Sequence, residues 1–563
     1  MRYLYFLLLF AVTATVSSPA WAQDAEVPLN ADVYRLIDRY HIKYNTEGLH
    51  TSFKPYGRLK VADLAEKADQ DMNQQSPADE YNVNYLLNDN WNYTRYDRDN
   101  ASNRSILNHF FENKTDFYHY ESPEFTLRVN PVIGLQAGTD SETDGLRYVN
   151  TRGIQVEGAL DEKLGFYTFL TDNQVKFPGY VNNRIVRDTI VPHEGYWKDF
   201  KGDGYDFFTA RGYIRYAATK HISVMLGHDR NFIGNGHRSL ILSDYSAPYF
   251  FLKLQTQVWK LQYTNLYAEL TADHERSDQL YPKKYMTLHH LSVNLLPNLN
   301  IGVFESTIFG RDKGRFELQY LNPLIFYRAV EQGLGSSDNA LLGMDAKWNI
   351  FNRVQLYGQL VLDEFLLSEI KAGNGWWANK YALQGGAKYI DAFGISNLDL
   401  QGELNYVRPF TYQHEAAYTN YQHYQQPLAH PMGANLAEAI GIIRYQPIPR
   451  LTMVAKAIAT QYGQDPPNTT DELGNRVEPN YGGNVLKPYT TRPGNYGFEV
   501  GSGVKTNQFY GEFNLSYQIL YNMFVDVTQV VRRANADDPA YDQKTSFSSI
   551  SFRWNIPQRT YEF

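Results

Sequence analysis

The chain has 563 residues, of which 45 are Tyr and none is Cys, and its formal net charge is -8 at pH 7. The absence of Cys excludes disulfides and thiolate metal sites, and the negative charge gives no basic surface for nucleic acid, so we expect no nucleic-acid partner. After the first residues, no apolar stretch approaches the ~20 residues that a transmembrane helix needs, and the mean hydropathy of -0.48 is polar.

The N-terminus has the three parts of a secretory signal peptide. Arg2 supplies the positive charge, Tyr3–Val16 the apolar segment, and Ala20–Ala22 a small-residue cleavage motif. The apolar segment is too short for a spanning helix. We therefore predict a signal peptide over residues 1–22, cleaved after Ala22.

Residues 23–123 have the periodicity of helices. Apolar side chains recur at the 3.6-residue spacing of one helix face at Val33, Leu36, Ile37 and Tyr40. Three further short helices are predicted at Val61–Met72, Ala78–Leu87 and Ser105–Phe111. So small a helical unit has little core of its own. We therefore expect it either to hang free in the periplasm or to plug the larger part of the protein, and we favour at least partial plugging.

From residue 124 onward the pattern changes to alternation with a period of two, which is typical of strands with two different faces. In Phe207–Ala217, for example, Phe208, Ile214 and Tyr216 share one face, and Arg211 and Arg215 share the other. A charge that faces lipid at mid-bilayer costs ~2–4 kcal/mol. We therefore expect the charged face to point into a lumen, with lumen charges at Arg211, Arg215, Asp345, Lys347 and Asp363.

Tight turns such as Asp161–Lys163 alternate with long polar connections such as Asn173–Tyr205 and Tyr462–Gly503. Outer-membrane barrels have short periplasmic turns and long extracellular loops. The pattern predicts an all-β transmembrane fold, an antiparallel outer-membrane β-barrel of about eighteen strands over residues 124–563, with an N-terminal α-helical plug. Ile550, Phe552 and Trp554 are expected to face lipid, and the aromatic Phe563 is typical of an outer-membrane assembly signal.

Catalytic patterns are weak. His414–Tyr418 begins like a metalloprotease helix but has Tyr where the second His ligand belongs. Asp363 and Glu364 are adjacent in a strand, so their side chains are expected to point to opposite faces. We predict no enzyme, no cofactor and no metal site.

Two loops have the composition of a binding surface. Thr411–His430 offers aromatic and imidazole groups that suit a polysaccharide, with candidate residues Tyr412, His414, Tyr421, His423 and Tyr424. Asp229–Ser243 gathers groups that suit anionic sugars around two glycines, with candidate residues Arg230, Asn231, Asn235, His237 and Arg238. Both loops are expected on the outer face. An interface girdle with ordinary loop packing is the alternative for the aromatic residues. For the lumen charges we favour an internal ion-pair network, with a solute path and a specific binding role as the alternatives.

Three blocks of the sequence carry a family resemblance. Gly227–Lys253 resembles the Wzi-type capsule-assembly family of outer-membrane barrels, although Asn231–Gly236 departs from that family's common W-x-G-P-G pattern. Arg315–Ile350 and Tyr357–Phe365 are similar to the Bacteroidetes branch of that family, which includes RemB-type gliding-motility proteins. The resemblance implies an eighteen-stranded barrel with a helical plug that holds capsular polysaccharide on the cell.

The expected function is therefore a non-enzymatic, monomeric barrel in the bacterial outer membrane that binds and anchors or organises surface polysaccharide. The expected partners are outer-membrane lipid, the polysaccharide and other proteins of the envelope, and the resemblance adds gliding motility as a role. A substrate-selective porin is the alternative, and a surface glycosidase is the third hypothesis.

Overall fold

The computed structural model describes residues 25–46, 48–71, 76–95, 100–102, 109–161, 163–272, 280–311, 314–335, 338–470 and 476–563. The predicted signal peptide and most of the predicted helix Ser105–Phe111 lie outside the described residues.

Eighteen antiparallel strands close into a barrel, which confirms the predicted fold class. The first strand pairs with the last, since Ala137 stands opposite Ile550. The strands are β1 Phe125–Asp140, β2 Arg147–Leu160, β3 Leu164–Lys176, β4 Gly204–Ala217, β5 Ile222–Asp229, β6 Tyr249–Val258, β7 Leu261–Thr271, β8 Lys283–Leu296, β9 Leu299–Phe309, β10 Asn339–Ile350, β11 Val354–Glu364, β12 Lys380–Tyr389, β13 Leu398–Val407, β14 Leu436–Ile448, β15 Leu451–Gln464, β16 Val504–Leu520, β17 Met523–Ala536 and β18 Gln543–Trp554.

The two faces of each strand differ as the period of two requires. In β4, Phe208 is 62% exposed on the outer surface of the barrel, whereas Arg211 is 7% exposed on the lumen side. Because there is no water in the hydrocarbon core, the apolar face belongs against lipid and the polar face inside.

The outward-facing residues of the strands also show which end of the barrel projects from the membrane. Along β18, the outward residues change from polar at the long-loop end to apolar at the short-turn end, in the order Lys544, Ser546, Ser548, Ile550, Phe552 and Trp554. The 17-residue β16 is longer than the ~9–11 residues that cross a bilayer. The strands therefore extend past the membrane on the side of the long loops.

The N-terminal region is helical and lies in the lumen at the short-turn end. Its helices are α1 Tyr34–Tyr44, α2 Arg58–Gln70 and α3 Pro77–Asp89, and they share a core that includes Ile37, Tyr40 and Leu64. Arg58 forms an ion pair with Glu157 of β2 at 2.7 Å, and Asn45 donates to Asn352 in the β10–β11 turn at 3.0 Å. The helical region is therefore a plug held by the wall and by the short turns.

Three more helices lie in the long connections: α4 Gly179–Asp188, α5 Tyr327–Leu334 and α6 Leu367–Ala372. Among the described residues, no helix combines the length and the apolarity needed to cross a bilayer.

Two further segments enter the lumen. The first, called the inward loop, is residues 230–248 between β5 and β6, and its Phe232–Ile233 pairs with Phe53–Lys54 of the plug. The second, called the C-terminal segment, is residues 555–563, which follow β18. Phe563 is only 4% exposed there and accepts a hydrogen bond from Arg532 Nε at 2.9 Å. Phe563 therefore follows an amphipathic strand, since β18 ends at Trp554, and its role as an assembly signal stays a prediction.

Candidate functional site

A cavity of about 530 Å³ opens at the long-loop end of the barrel, and we call it the outer cavity. Four connections form its walls: α4, the end of the β13–β14 loop, the β15–β16 loop and the β17–β18 loop. Its volume is in the range of ~300–1,000 Å³ that is usual for small-ligand sites.

Helix α4 supplies exposed polar groups to the outer cavity. Its apolar face, which includes Val181 and Ile185, packs against the barrel near the ends of β3 and β4. On the other face, Arg187 is exposed and its Nε donates to the Asp188 carboxylate at 2.6 Å. Burial alone would raise the pKa of Asp188, but the Arg184 and Arg187 guanidiniums outweigh burial and lower it. The carboxylate therefore stays charged and holds both arginines in place.

The opposite wall of the outer cavity combines aromatic rings with amide and charged groups. Tyr462 and Tyr541 contribute rings, and Gln425 contributes an amide. Lys487 forms an ion pair with Asp465 at 2.8 Å, which ties two parts of the β15–β16 connection together. The outer cavity therefore presents ring faces beside hydrogen-bond donors.

Three of the five predicted residues of Thr411–His430 are packed in the interior of the protein. Tyr412 and Tyr421 are each 1% exposed, and their rings stack 5.8 Å apart. His423 accepts from the Thr271 backbone N–H at 2.9 Å, and burial lowers its pKa to about 3, so it is neutral at physiological pH. Most of this loop therefore supports the surface rather than forming it.

The other two predicted residues of this loop lie nearer the surface. His414 is 7% exposed, is hydrogen-bonded to Thr419 Oγ1 and packs edge-on against Tyr489. Tyr424 is half-buried, and its ring meets Tyr281 at 5.7 Å in a T-shaped contact.

The predicted residues of Asp229–Ser243 lie inside the barrel, and the expected exposure of this segment on the outer face is wrong. Asn235 is 4% exposed and accepts a hydrogen bond from Thr51 of the plug at 2.7 Å. Asn231 is fully buried between Tyr249 and Lys253. Gly234 has a φ of 128°, a backbone conformation that residues with a side chain rarely adopt. A Cβ there would lie 2.3 Å from the Gln359 amide nitrogen. The glycine thus lets the segment fold inward against the wall.

Three other members of that segment contact carboxylates or backbone in the lumen. His237 is hydrogen-bonded to Glu562 at 2.6 Å through its ring. Arg238 bridges Glu438 of the wall and Glu562 of the C-terminal segment, both at 3.2 Å. Arg230 donates to the Asp244 carbonyl at 2.9 Å.

All five predicted lumen charges lie on inward positions of their strands. Lys347 donates to Thr51 Oγ1 at 2.7 Å, and Asp345 lies 2.7 Å from the His290 ring. Arg211 and Arg215 both share the inward face of β4, where Arg215 donates to Ser223 Oγ at 3.2 Å.

The fifth predicted lumen charge, Asp363, contradicts the expected orientation of its side chain relative to that of Glu364. A register shift near Leu362 lets Asp363 and Glu364 both reach Lys380 Nζ, at 3.1 and 3.2 Å. The expected opposite orientation of these two carboxylates is therefore wrong. Both are bound to the same cation, and neither is arranged as a free acid or base.

Sequence reasoning missed α4 and the outer cavity. Val181, Ile185 and the i, i+4 pair Arg184–Asp188 are a helical pattern, and they were available within the connection Asn173–Tyr205. From the sequence, a single polar loop is predicted over this connection. The cavity itself joins four connections that are far apart in the chain, so no local pattern could reveal it.

No family model matches the chain, and no curated protein sequence matches it. Among solved structures the chain is similar to Wzi of Escherichia coli, described as an outer-membrane protein involved in group 1 capsule assembly and a carbohydrate-binding β-barrel. The identity is 14%, the TM-score is 0.56, and the match covers 95% of this chain and 100% of that chain. This likeness shows a shared fold.

Weaker likenesses are to OprD of Pseudomonas aeruginosa, with 12% identity, a TM-score of 0.41 and coverage of 76% of this chain and 94% of that one, and to its OccK8, with 8% identity, a TM-score of 0.40 and coverage of 76% and 97%. These two similarities are too distant to carry an argument. The barrel fold resembles that of outer-membrane proteins.

Proposed function

We propose that this protein is a non-enzymatic outer-membrane barrel that binds polysaccharide at the cell surface through the outer cavity. The observation that carries the proposal is the position and lining of that cavity. It opens at the end of the barrel that extends past the membrane, and it is large enough for a few sugar residues.

The lining suits a sugar chain. The apolar C–H face of a sugar packs on an aromatic ring, and Tyr462 and Tyr541 supply rings. The sugar hydroxyls need hydrogen-bond partners, which the amides of Asn183 and Gln425 supply. Arg187 adds an exposed guanidinium: its Nε and Nη2 donate to Asp188, and its remaining N–H groups can donate to oxygen atoms of the sugar.

The fold supports the same proposal. The likeness to Wzi of Escherichia coli covers nearly the whole chain, and that protein is described as carbohydrate-binding. We extend the proposal to anchoring or organising the polymer, together with lipid and other envelope proteins. A role in gliding motility and a place in the Bacteroidetes branch rest on Arg315–Ile350 and Tyr357–Phe365 alone.

Transport through an open lumen is the less favoured alternative. The plug, the inward loop and the C-terminal segment all lie within the barrel and bind its wall. An open channel would require at least one of these segments to leave the lumen, whereas the outer cavity is already open to the outside.

The test measures binding of polysaccharide extracted from the source cells to the purified barrel by biolayer interferometry. We expect Arg187→Gln to weaken binding about tenfold, because a hydrogen bond to a charged group contributes about 1.5–3 kcal/mol. Arg328→Gln is the matched control. Arg328 is a similarly exposed arginine on α5, paired with Glu331 on the same side of the barrel but outside the cavity.

Equal loss of binding in both variants would indicate a general charge effect and contradict the assignment to the outer cavity. Undetectable binding by the unmodified protein would reject the proposed function.

A further inference from the structure

A second cavity of about 410 Å³ lies deeper, within the lumen, and we call it the lumenal cavity. It is bordered by α1, the inward loop, the C-terminal segment and the barrel wall. Phe563 borders both this cavity and the outer cavity.

The lining of the lumenal cavity contains more cationic than anionic side chains. Nine Arg or Lys and five Asp or Glu residues line it, while the formal net charge of the chain is -8. Carboxylates just outside the lining offset part of this difference, since Arg39 also pairs with Asp79 and Arg238 with Glu438. The positive charge that remains attracts anions more strongly at these largely buried positions than it would in water.

Three of the nine cations have carboxylate partners within the cavity lining. Arg39 forms an ion pair with Asp399, Lys388 with Asp38, and Arg238 with Glu562. Six cations and two carboxylates remain. The two carboxylates are Glu194, which accepts from Thr209 Oγ1 at 2.9 Å, and Asp244, which accepts from the Asn30 amide.

Three of the remaining cations gather near those two carboxylates, and each keeps a buried donor without a hydrogen-bond partner among the described residues. These donors are Nε of Arg211, Nε of Arg230 and one terminal nitrogen, Nη1, of Arg559. Arg211 is 7% exposed, and its closest carboxylate oxygen, on Asp229, is 3.8 Å away. Arg559 has neutral partners, since its other terminal nitrogen donates to Asn173 at 2.7 Å and its guanidinium lies 5.7 Å from the centre of the Phe207 ring.

Arg211 acts on Arg230 electrostatically, and Arg230 and Arg559 share a neighbour in His193. Burial lowers the pKa of Arg230, and the positive charge of Arg211 adds to that effect. Burial lowers the pKa of His193 to about 4, and the charges of Arg230 and Arg559 act in the same direction, so His193 is neutral and does not balance them. The positive charge near Glu194 and Asp244 is therefore carried by the arginines.

A buried guanidinium whose donors are unsatisfied is costly unless a partner binds it. An oxyanion is the partner whose geometry fits, because planar guanidiniums bind carboxylate and phosphate through parallel hydrogen bonds. We propose that the lumenal cavity binds a small oxyanionic ligand, with Arg211, Arg230 and Arg559 as the anion-binding residues. The carboxylate of a free acidic sugar and inorganic phosphate share this chemistry. This site is separate from the outer cavity and does not rest on the proposed function.

The test is isothermal titration calorimetry of the full-length protein in detergent at neutral pH. The three probes are glucuronate, inorganic phosphate and glucose. We expect saturable binding of glucuronate, phosphate or both, and none of glucose. Binding of one oxyanion alone would support the site and identify the source of its ligand. Heat from glucose equal to that from glucuronate, or no heat from either oxyanion, would overturn the proposal.

Variants locate the site. Arg211→Gln, Arg230→Gln and Arg559→Gln should each weaken oxyanion binding about tenfold or more. Arg152→Gln is the matched control, since Arg152 is an exposed arginine on the outer surface, paired with Asp172 at 3.1 Å. Far-ultraviolet circular dichroism of each variant confirms that the barrel is folded. Full binding in all three folded lumenal variants would overturn the assignment.

Discussion

One buried carboxylate, that of Asp116, joins the plug to the barrel. Asp116 is fully buried, and it accepts hydrogen bonds from Trp91 of the plug at 3.0 Å and from Arg128 and Asn130 of β1, both at 2.9 Å. Burial alone would raise the pKa of Asp116, but the charge of Arg128 and the hydrogen bonds from Asn130, Arg128 and Asn113 outweigh burial and hold it at about 2.

We predict that Asp116→Asn lowers the free energy of unfolding by about 2 kcal/mol at neutral pH, since each pKa unit corresponds to about 1.4 kcal/mol. The folded-state pKa lies below the unfolded one. The stabilisation is therefore complete above about pH 4 and is lost as the pH falls through about 2. The measurement is urea denaturation of the purified barrel in detergent across that range.

Asp537→Asn is the control, because Asp537 lies in an exposed loop, and surface substitutions usually change stability by less than about 0.5 kcal/mol. A loss for Asp116→Asn that stays the same at acid and neutral pH would contradict the charge-based explanation.

At the scale of the strand, the position along the barrel decides what an outward side chain contacts. Leu404 lies beyond the middle of β13, is 65% exposed on the outer surface and stands opposite Gly385 and Ala439 of the neighbouring strands. Ser546 is also outward-facing, but it lies near the long-loop end of β18, next to the exposed Lys544.

Leu404→Arg should therefore lower the free energy of unfolding in lipid by about 2–4 kcal/mol, because its charge faces the hydrocarbon core. Ser546→Arg should cost about 0–1 kcal/mol, because its charge lies at or above the interface. Denaturant unfolding in lipid vesicles, followed by Trp fluorescence, gives both values. Equal costs would mean that the polar band at the end of β18 does not mark the membrane boundary.

Strands were predictable because a period of two repeats within each segment and needs no information from elsewhere. The prediction placed β5 at 221–228, and the structure has it at Ile222–Asp229. The path of the inward loop was not predictable, because it depends on partners far away in the chain. Thr51 and Asn235, which are hydrogen-bonded to each other, are 184 residues apart. The two glycines indicated a tight fold but not its direction.

At the scale of the whole molecule, the lumen is filled from three directions. The plug binds the wall and the short turns, the inward loop pairs with the plug through Phe53–Lys54, and the C-terminal segment ion-pairs with Arg238 through Glu562. Each contact belongs to a different part of the chain. The plug, the inward loop and the C-terminal segment therefore bind one another as well as the barrel wall.

From this filling we predict that the intact protein shows no steady ion conductance in planar lipid bilayers. A variant that lacks residues 556–563 should conduct at least transiently, because it loses Glu562 and Phe563 from the lumen. Steady single-channel currents from the intact protein would contradict the closed lumen and favour the porin alternative.

The most direct test of the central claim, surface polysaccharide binding, is the partition of polymer between cells and medium in a strain that lacks this protein. We predict that total polymer stays unchanged, that most of it is shed into the medium, and that the unmodified protein restores retention while Arg187→Gln restores it only in part. Retention of polymer on the deletion strain at the level of the parent strain would contradict the claim.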